Sequence, residues 1–240
     1  MFSKITHQVT EEHFDHPATL PEHVVNTANT HAIIRARISN ADSLPALVIN
    51  EKTLNFRMDS RTIWTKYALG LINYSVASMG NLSEAAQVEA RMSTAANAIG
   101  DYFIPYYGVT AGDQVGTYLL GIWKTGVEVV HAVKAQKDLR PYQTIWTSLI
   151  ADLSNYLNNL NPAQWPAPLL TEVFTNLTKY WTDDIQARYS QDATGDSNAI
   201  DNINKLVITG IPNHSNKGFA SLADVISRGI IAQFPLDFVG

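Results

Sequence analysis

The sequence predicts an all-α protein, an up-and-down bundle of about six helices with an extended, irregular N-terminal arm. Three observations predict it. Apolar residues recur at helical spacing from Asp59 onward, Gly, Pro and Asn punctuate those stripes, and residues 1–58 show no sustained period. The predicted division is therefore an arm over 1–58 and a bundle over 59–240.

In the arm, Pro17, Pro21 and Pro45 break any helix. Two short runs, Ala32 to Ile38 and Leu47 to Ile49, suit either paired strands or an extended path over a partner. Asp59 or Ser60 then caps a first helix with Ile63, Tyr67, Leu71 and Tyr74 on one face, and Gly80 stops it. Ser83 caps a second, with Val88, Met92, Ala95, Ile99 and Phe103 as its stripe and Pro105 as its end.

Thr110 with Asp113 resembles a capping box for a third helix through Val115, Leu119, Ile122, Val129 and Val133. Gly116, Gly121 and Gly126 inside it each cost about 1 kcal/mol relative to Ala and predict close approach of another helix or a bend. Pro141 suits the first turn of a fourth helix, carrying Ile145, Leu149, Leu153 and Tyr156 and ended by Asn161-Pro162. Leu169, Val173, Leu177, Trp181 or Tyr180, and Ile185 mark the fifth. Residues 190–218, rich in Gly, Asp, Asn and Ser, predict a long loop with one short helix around Ile200 to Val207. The last helix carries Phe219, Leu222, Val225 or Ile226, Ile230 and Phe234 before Pro235.

The 240 residues are 45% hydrophobic, enough for a core that needs no disulfide or metal staple. Cysteine is absent, which excludes disulfides, thiolate metal sites and a thiol nucleophile. A net charge of −5 with no Lys/Arg run argues against nucleic acid as a partner. Neither a signal-peptide pattern nor a run of ~18 apolar residues is present, so the expectation is a soluble, intracellular protein without a membrane span.

Motifs for phosphate loops, dinucleotide folds, serine hydrolases and zinc proteases are missing. His13 and His16 form an H-x-x-H pair beside Glu11, Glu12 and Asp15, a weak metal signal that Pro17 removes from a regular helix. Glu128-x-x-His131 has no second copy, so a di-metal carboxylate bundle lacks its ligand set and a solvated face is the better reading. Asp152, Asp183, Asp184 and Asp224 converge only if their helices turn them inward; amphipathic helices usually expose such groups. Tyr102, Phe103, Tyr106, Tyr107, Trp123, Trp146, Trp165, Tyr180 and Trp181 could line a pocket, but core packing accounts for them more simply.

Ile63-Trp64-Thr65-Lys66, Pro105-Tyr106-Tyr107-Gly108, Ala111-Gly112-Asp113-Gln114, Asn161-Pro162 with Trp165-Pro166, and Gly229-Ile230-Ile231-Ala232-Gln233-Phe234-Pro235 occur in that order. Over roughly residues 59–238 this resembles a family of small helical-bundle proteins of Gram-positive bacteria and large DNA viruses. The resemblance implies a polar or metal-binding centre with an inward His on three helices. Here Arg61, Ile122 and Asn176 stand at those positions and Ala95 and Ala98 at polar ones, while Asp152, Asp183 and Asp224 remain acidic. Most imidazole donors of such a centre are gone, and carboxylates or amides do not replace them equivalently.

The function expected is thus that of a non-catalytic structural or interaction protein without a cofactor. Its concrete form is a minor structural component of a large virus particle. Its partners would be other proteins of an assembly, met through the arm and the outer bundle face. The competing reading is a metal- or ligand-binding bundle, or an enzyme, using Arg61, Asp152, Asn176, Asp183 and Asp224 in one polar pocket.

Overall fold

Asn50 opens the first helix with a reciprocal capping box: its side chain accepts from Thr53 N (2.9 Å), and Thr53 Oγ1 accepts from Asn50 N (3.0 Å). The structure is a computed structural model that describes residues 50–210 and 221–239, all within the unit Ala46–Gly240. Among the described residues there are seven α-helices: α1 (Glu51–Met79), α2 (Ala85–Tyr107), α3 (Val109–Lys134), α4 (Arg140–Leu160), α5 (Ala167–Ser190), α6 (Ala193–Asn204) and α7 (Leu222–Gln233). A π-helical turn, Lys205–Thr209, continues α6, and a 3-10 turn, Pro235–Phe238, follows α7. The all-α bundle is as the sequence predicts, and no helix among the described residues is long and apolar enough to cross a membrane. Consecutive helices from α1 to α6 pack side by side; α1 also packs on α5 and α7, and α3 on α5.

Several boundaries differ from the sequence reading. The first helix starts at Glu51, so Asp59 and Ser60 lie inside it, and residues 51–58, assigned to the arm, are helical. The period is hidden there because the buried face is polar or mixed: Thr53, Phe56, Arg57 and Ser60. Ser83 does not cap α2, whose N-cap is Glu84 without a side-chain bond. Pro105 does not end α2 either. A proline costs a helix one N–H, and this helix runs two residues further until Gly108 turns to φ +82°. The same Gly108 precedes α3, so the Thr110–Asp113 box is not formed.

Of the predicted loop 190–218, the described residues are mostly helix, and the short helix expected around Ile200 to Val207 is the end of a longer one that starts at Ala193. Gln191 takes a left-handed φ of 60°, and Asp192 caps α6 by accepting from Thr194 N (3.1 Å) and Gly195 N (3.0 Å). The π turn then buries Leu206 and Val207 against α1 and α7. The runs Ala32 to Ile38 and Leu47 to Ile49, His13, His16 and Phe219 lie outside the described residues.

The core is aromatic. Trp181 of α5 stacks on Trp123 of α3 with centroids 5.4 Å apart, and Trp146 of α4 lies 6.1 Å away. Gly126 makes room for this ring, since a Cβ there would overlap Trp181. α2 and α3 cross with backbones in contact at Gly100 and Gly112. The other two glycines singled out in α3 are less constrained: a Cβ at Gly116 would meet ordinary contacts and one at Gly121 only the tip of Leu149. A second aromatic nest ties down the start of α1. Phe56 stacks on Tyr102 at 4.4 Å and meets Phe238 at 4.9 Å, Tyr102 donates to Phe56 O (2.9 Å), and Asn50 Nδ2 donates to Phe238 O.

Two substitutions probe this packing. Gly126→Ala gains about 1 kcal/mol of helix propensity but must displace Trp181, so chemical denaturation is expected to show a net loss of about 2 kcal/mol. Phe56→Ala is expected to cost about 2–3 kcal/mol in the same assay; an unchanged midpoint would mean that residues 51–58 do not belong to the bundle.

Candidate functional site

Arg57 and Arg61 stand one turn apart on α1 and converge on Asp224 in the first turn of α7. Arg57 Nη2 donates to Oδ1 (3.1 Å); Arg61 donates through Nε to Oδ1 (3.2 Å) and through Nη2 to Oδ2 (2.7 Å). Beside them Ser60 donates to Ala223 O (2.8 Å), and Ser221 caps α7 by accepting from Asp224 N (3.3 Å). Burial pushes the Asp224 carboxyl up, but the hydrogen bonds from Arg61 and Arg57 and their charges outweigh it and hold the group below the usual carboxylate range.

The second ionic cluster lies where α5, α6 and α1 meet. Asp184 is fully buried; Arg188, one turn on, donates from Nε to its Oδ1 (2.8 Å) and places Nη2 2.7 Å from Asp196 Oδ1 of α6. That second approach is an ion pair without a well-directed hydrogen bond, because Asp196 Oδ1 has no donor aligned on it. Asp184 Oδ2 also has none. Trp181 Nε1 donates to Ser75 Oγ (2.9 Å), so Ser75 links this cluster to the core. Burial is the main cause that raises the Asp184 pKa to about 6, with Asp196 adding to the rise and Ser75 and Arg188 opposing it. An open cleft of about 370 Å³ lies alongside, lined by Val76, Met79, Arg188, Gln191, Asp192 and Asp196.

Of the residues the sequence offered as a single polar pocket, only Arg61 and Asp224 meet. Asp152 is exposed on α4 and Asn176 half-buried on α5. Asp183 pairs with Lys179 (2.6 Å) on the surface of α5, beside a groove that Trp146 and Thr178 also line. Ile122 is in the apolar core, and Ala95 and Ala98 are half-buried. Glu128 and His131 are both exposed, as expected of a solvated face. Among the described residues no three His, Asp or Glu side chains form a group that could hold a metal ion. From the sequence Asp184 reads only as a carboxylate of the kind amphipathic helices usually expose, and neither Arg188 nor Asp196 stands out. The available signal was register, since Asp184 continues the Leu177–Trp181 stripe and Arg188 stands four residues on.

The family-like motifs occupy joints between helices. Asn161 Nδ2 donates to Gly229 O (2.9 Å), and Trp165 Nε1 donates to Val225 O (3.1 Å) with its ring filling the space that a Cβ on Gly229 would need. Tyr107 donates to Gln233 Oε1 (2.6 Å), and Gln233 Nε2 reaches Leu160 O (3.1 Å). Tyr106 and Tyr107 each pack on Phe234, at 5.4 and 5.3 Å. Three of the five motifs thus build one corner joining α2, the end of α4 and α7. Trp64 packs on Tyr67 and Phe174 instead, and Gly112 makes the α2–α3 crossing.

Comparison with protein-family models, with curated proteins and with solved structures finds no match for this chain.

Asp224→Ala is expected to cost about 2–4 kcal/mol, because Arg57 is left largely buried without its counter-charge. The sign of its pH dependence follows from the depressed pKa: the joint's contribution is complete above ~pH 4 and is lost as pH falls through the native pKa. Acid unfolding compared between the wild type and this variant checks both.

Proposed function

We propose that this chain is a non-catalytic structural or interaction protein, with the role of a minor structural component of a large virus particle as its concrete form. The observation that carries the reading is where the polar groups go. The motif residues Asn161, Trp165, Tyr107 and Gln233 bond to other helices, and Arg61 with Asp224 fastens α1 to α7. The other residues of the polar-pocket alternative are scattered, with Asp152 exposed and Asp183 paired with Lys179. Groups so used hold a scaffold, whereas chemistry needs a convergent set facing a reactant.

Partner proteins would be met through residues ahead of Asn50 and through the outer face of the bundle. On α1 that face shows Leu54, Met58 and Leu69, between 45% and 57% exposed, with Thr62 and Lys66 between them. Spaced at helical intervals, these side chains give an apolar strip suited to another protein.

Two measurements test the reading. Native mass spectrometry of the protein from its natural source is expected to give a large stoichiometric complex without added small-molecule mass; a small oligomer carrying a reproducible metal or ligand mass would overturn it. The double variant Met58→Asp, Leu69→Asp is expected to weaken that assembly while leaving the thermal midpoint within about 2 °C, as exposed positions should. Assembly equal to wild type would remove this face from the proposal.

A further inference from the structure

Asp184 and Asp196 meet on one guanidinium, Arg188 Nε lying 2.8 Å from Asp184 Oδ1 and Nη2 2.7 Å from Asp196 Oδ1, while Asp184 Oδ2 and Asp196 Oδ1 are buried without an aligned donor. Two carboxylates on one guanidinium leave the cluster with a net negative charge and with two buried acceptors that no donor is aligned on. One proton resolves both problems. It turns one acceptor into a donor and makes the cluster neutral, with Arg188 balancing the remaining carboxylate.

We propose that Asp184 and Asp196 share one proton, and that this proton fastens α6 to α5, making the joint between them a pH-sensitive latch. The charged groups that act on Asp184 are Arg188 on its own helix and Asp196 on α6, while α1 contributes the hydroxyl of Ser75. α3 and α4 meet this part of α5 with uncharged groups, Gly126, Trp123 and Trp146, around Trp181. The cleft lined by Arg188, Asp192 and Asp196 gives water access to the α6 side of the pair.

The direction of the switch follows from the proton count. A carboxyl raised to about 6 in the folded state takes up a proton that the unfolded chain, with an ordinary value of ~4, does not yet bind. Native protonation exceeds unfolded protonation between those values, so the latch is fully fastened below the unfolded value and its contribution is lost as pH rises through about 6. This is opposite in sign to the Asp224 joint.

The test is carboxyl-carbon NMR titration of the full chain, paired with hydrogen exchange of the α6 amides corrected for intrinsic rates. The Asp184 carboxyl is expected to titrate near pH 6, and opening of α6 to increase about tenfold or more between about pH 5 and about pH 7.5. Asp184→Asn, a permanent hydrogen donor, is expected to keep α6 protected across that range and to abolish the step. Asp196→Asn donates to Asp184 instead and is expected to move its midpoint down by about one unit or more. A wild-type Asp184 midpoint near 4, an exchange step unchanged in Asp184→Asn, or an unmoved midpoint in Asp196→Asn would each overturn the shared proton. Should one variant fail to fold, the wild-type titration and the other variant still decide.

Discussion

The indole of Trp181 is the point on which four helices are set. It stacks on Trp123 of α3, faces Trp146 of α4, donates its N–H to Ser75 of α1 and belongs itself to α5. The ring fits because residue 126 has no side chain. Close packing transmits this placement, since interiors at crystal-like density leave few alternative positions for a buried ring of this size. With Trp181 fixed, the next turn of α5 carries Asp184 inward, and the ionic cluster with Arg188 and Asp196 then decides how α6 lies on α5.

Among the described residues, the buried carboxylates act at joints between helices. Asp224 gathers two arginines where α7 meets α1, and Asp184 and Asp196 share Arg188 where α6 meets α5. Charge burial is costly unless compensated, so parting either joint would leave a buried charge without its counter-ion. The two differ in balance. Asp224 has more positive than negative charge around it and stays ionised, whereas Asp184 has a second carboxyl as neighbour and is drawn toward the neutral form. The proton balance of the two joints therefore runs in opposite directions, the Asp224 joint weakening as pH falls and the proposed Asp184–Asp196 latch weakening as pH rises through about 6.

Much of the fold was legible in the sequence. Long apolar stripes such as Val115–Leu119–Ile122 and Leu149–Leu153 report their helices directly, because a 3.6-residue apolar period is what a helix needs in order to bury one face. The first two turns of α1 were not legible, since their buried face is Thr53, Phe56, Arg57 and Ser60, and Phe56, Arg57 and Ser60 find their partners, Tyr102 and Phe238, Asp224, and Ala223, far along the chain. Pro105 read as an end of helix and is not one, because Gly108, three residues on, is where the backbone turns. Only the end of α6 was legible, as the short helix around Ile200 to Val207, because the polar residues from Thr194 to Asn198 hide the helical period ahead of it.

The sequence by itself determined the helical class, the absence of thiol chemistry, the aromatic filling of the core and most helix positions, all of which depend on residue type and local period. Only the tertiary structure decided which carboxylates are interior. Asp183 and Asp184 are adjacent and chemically identical, yet one pairs with Lys179 at the surface and the other is buried and pairs with Arg188. The physical reason is the 100° step between neighbouring residues on a helix. Which side of α5 faces inward depends on the rotation of the whole helix, and that rotation is set by its packing against α1, α3, α4 and α6.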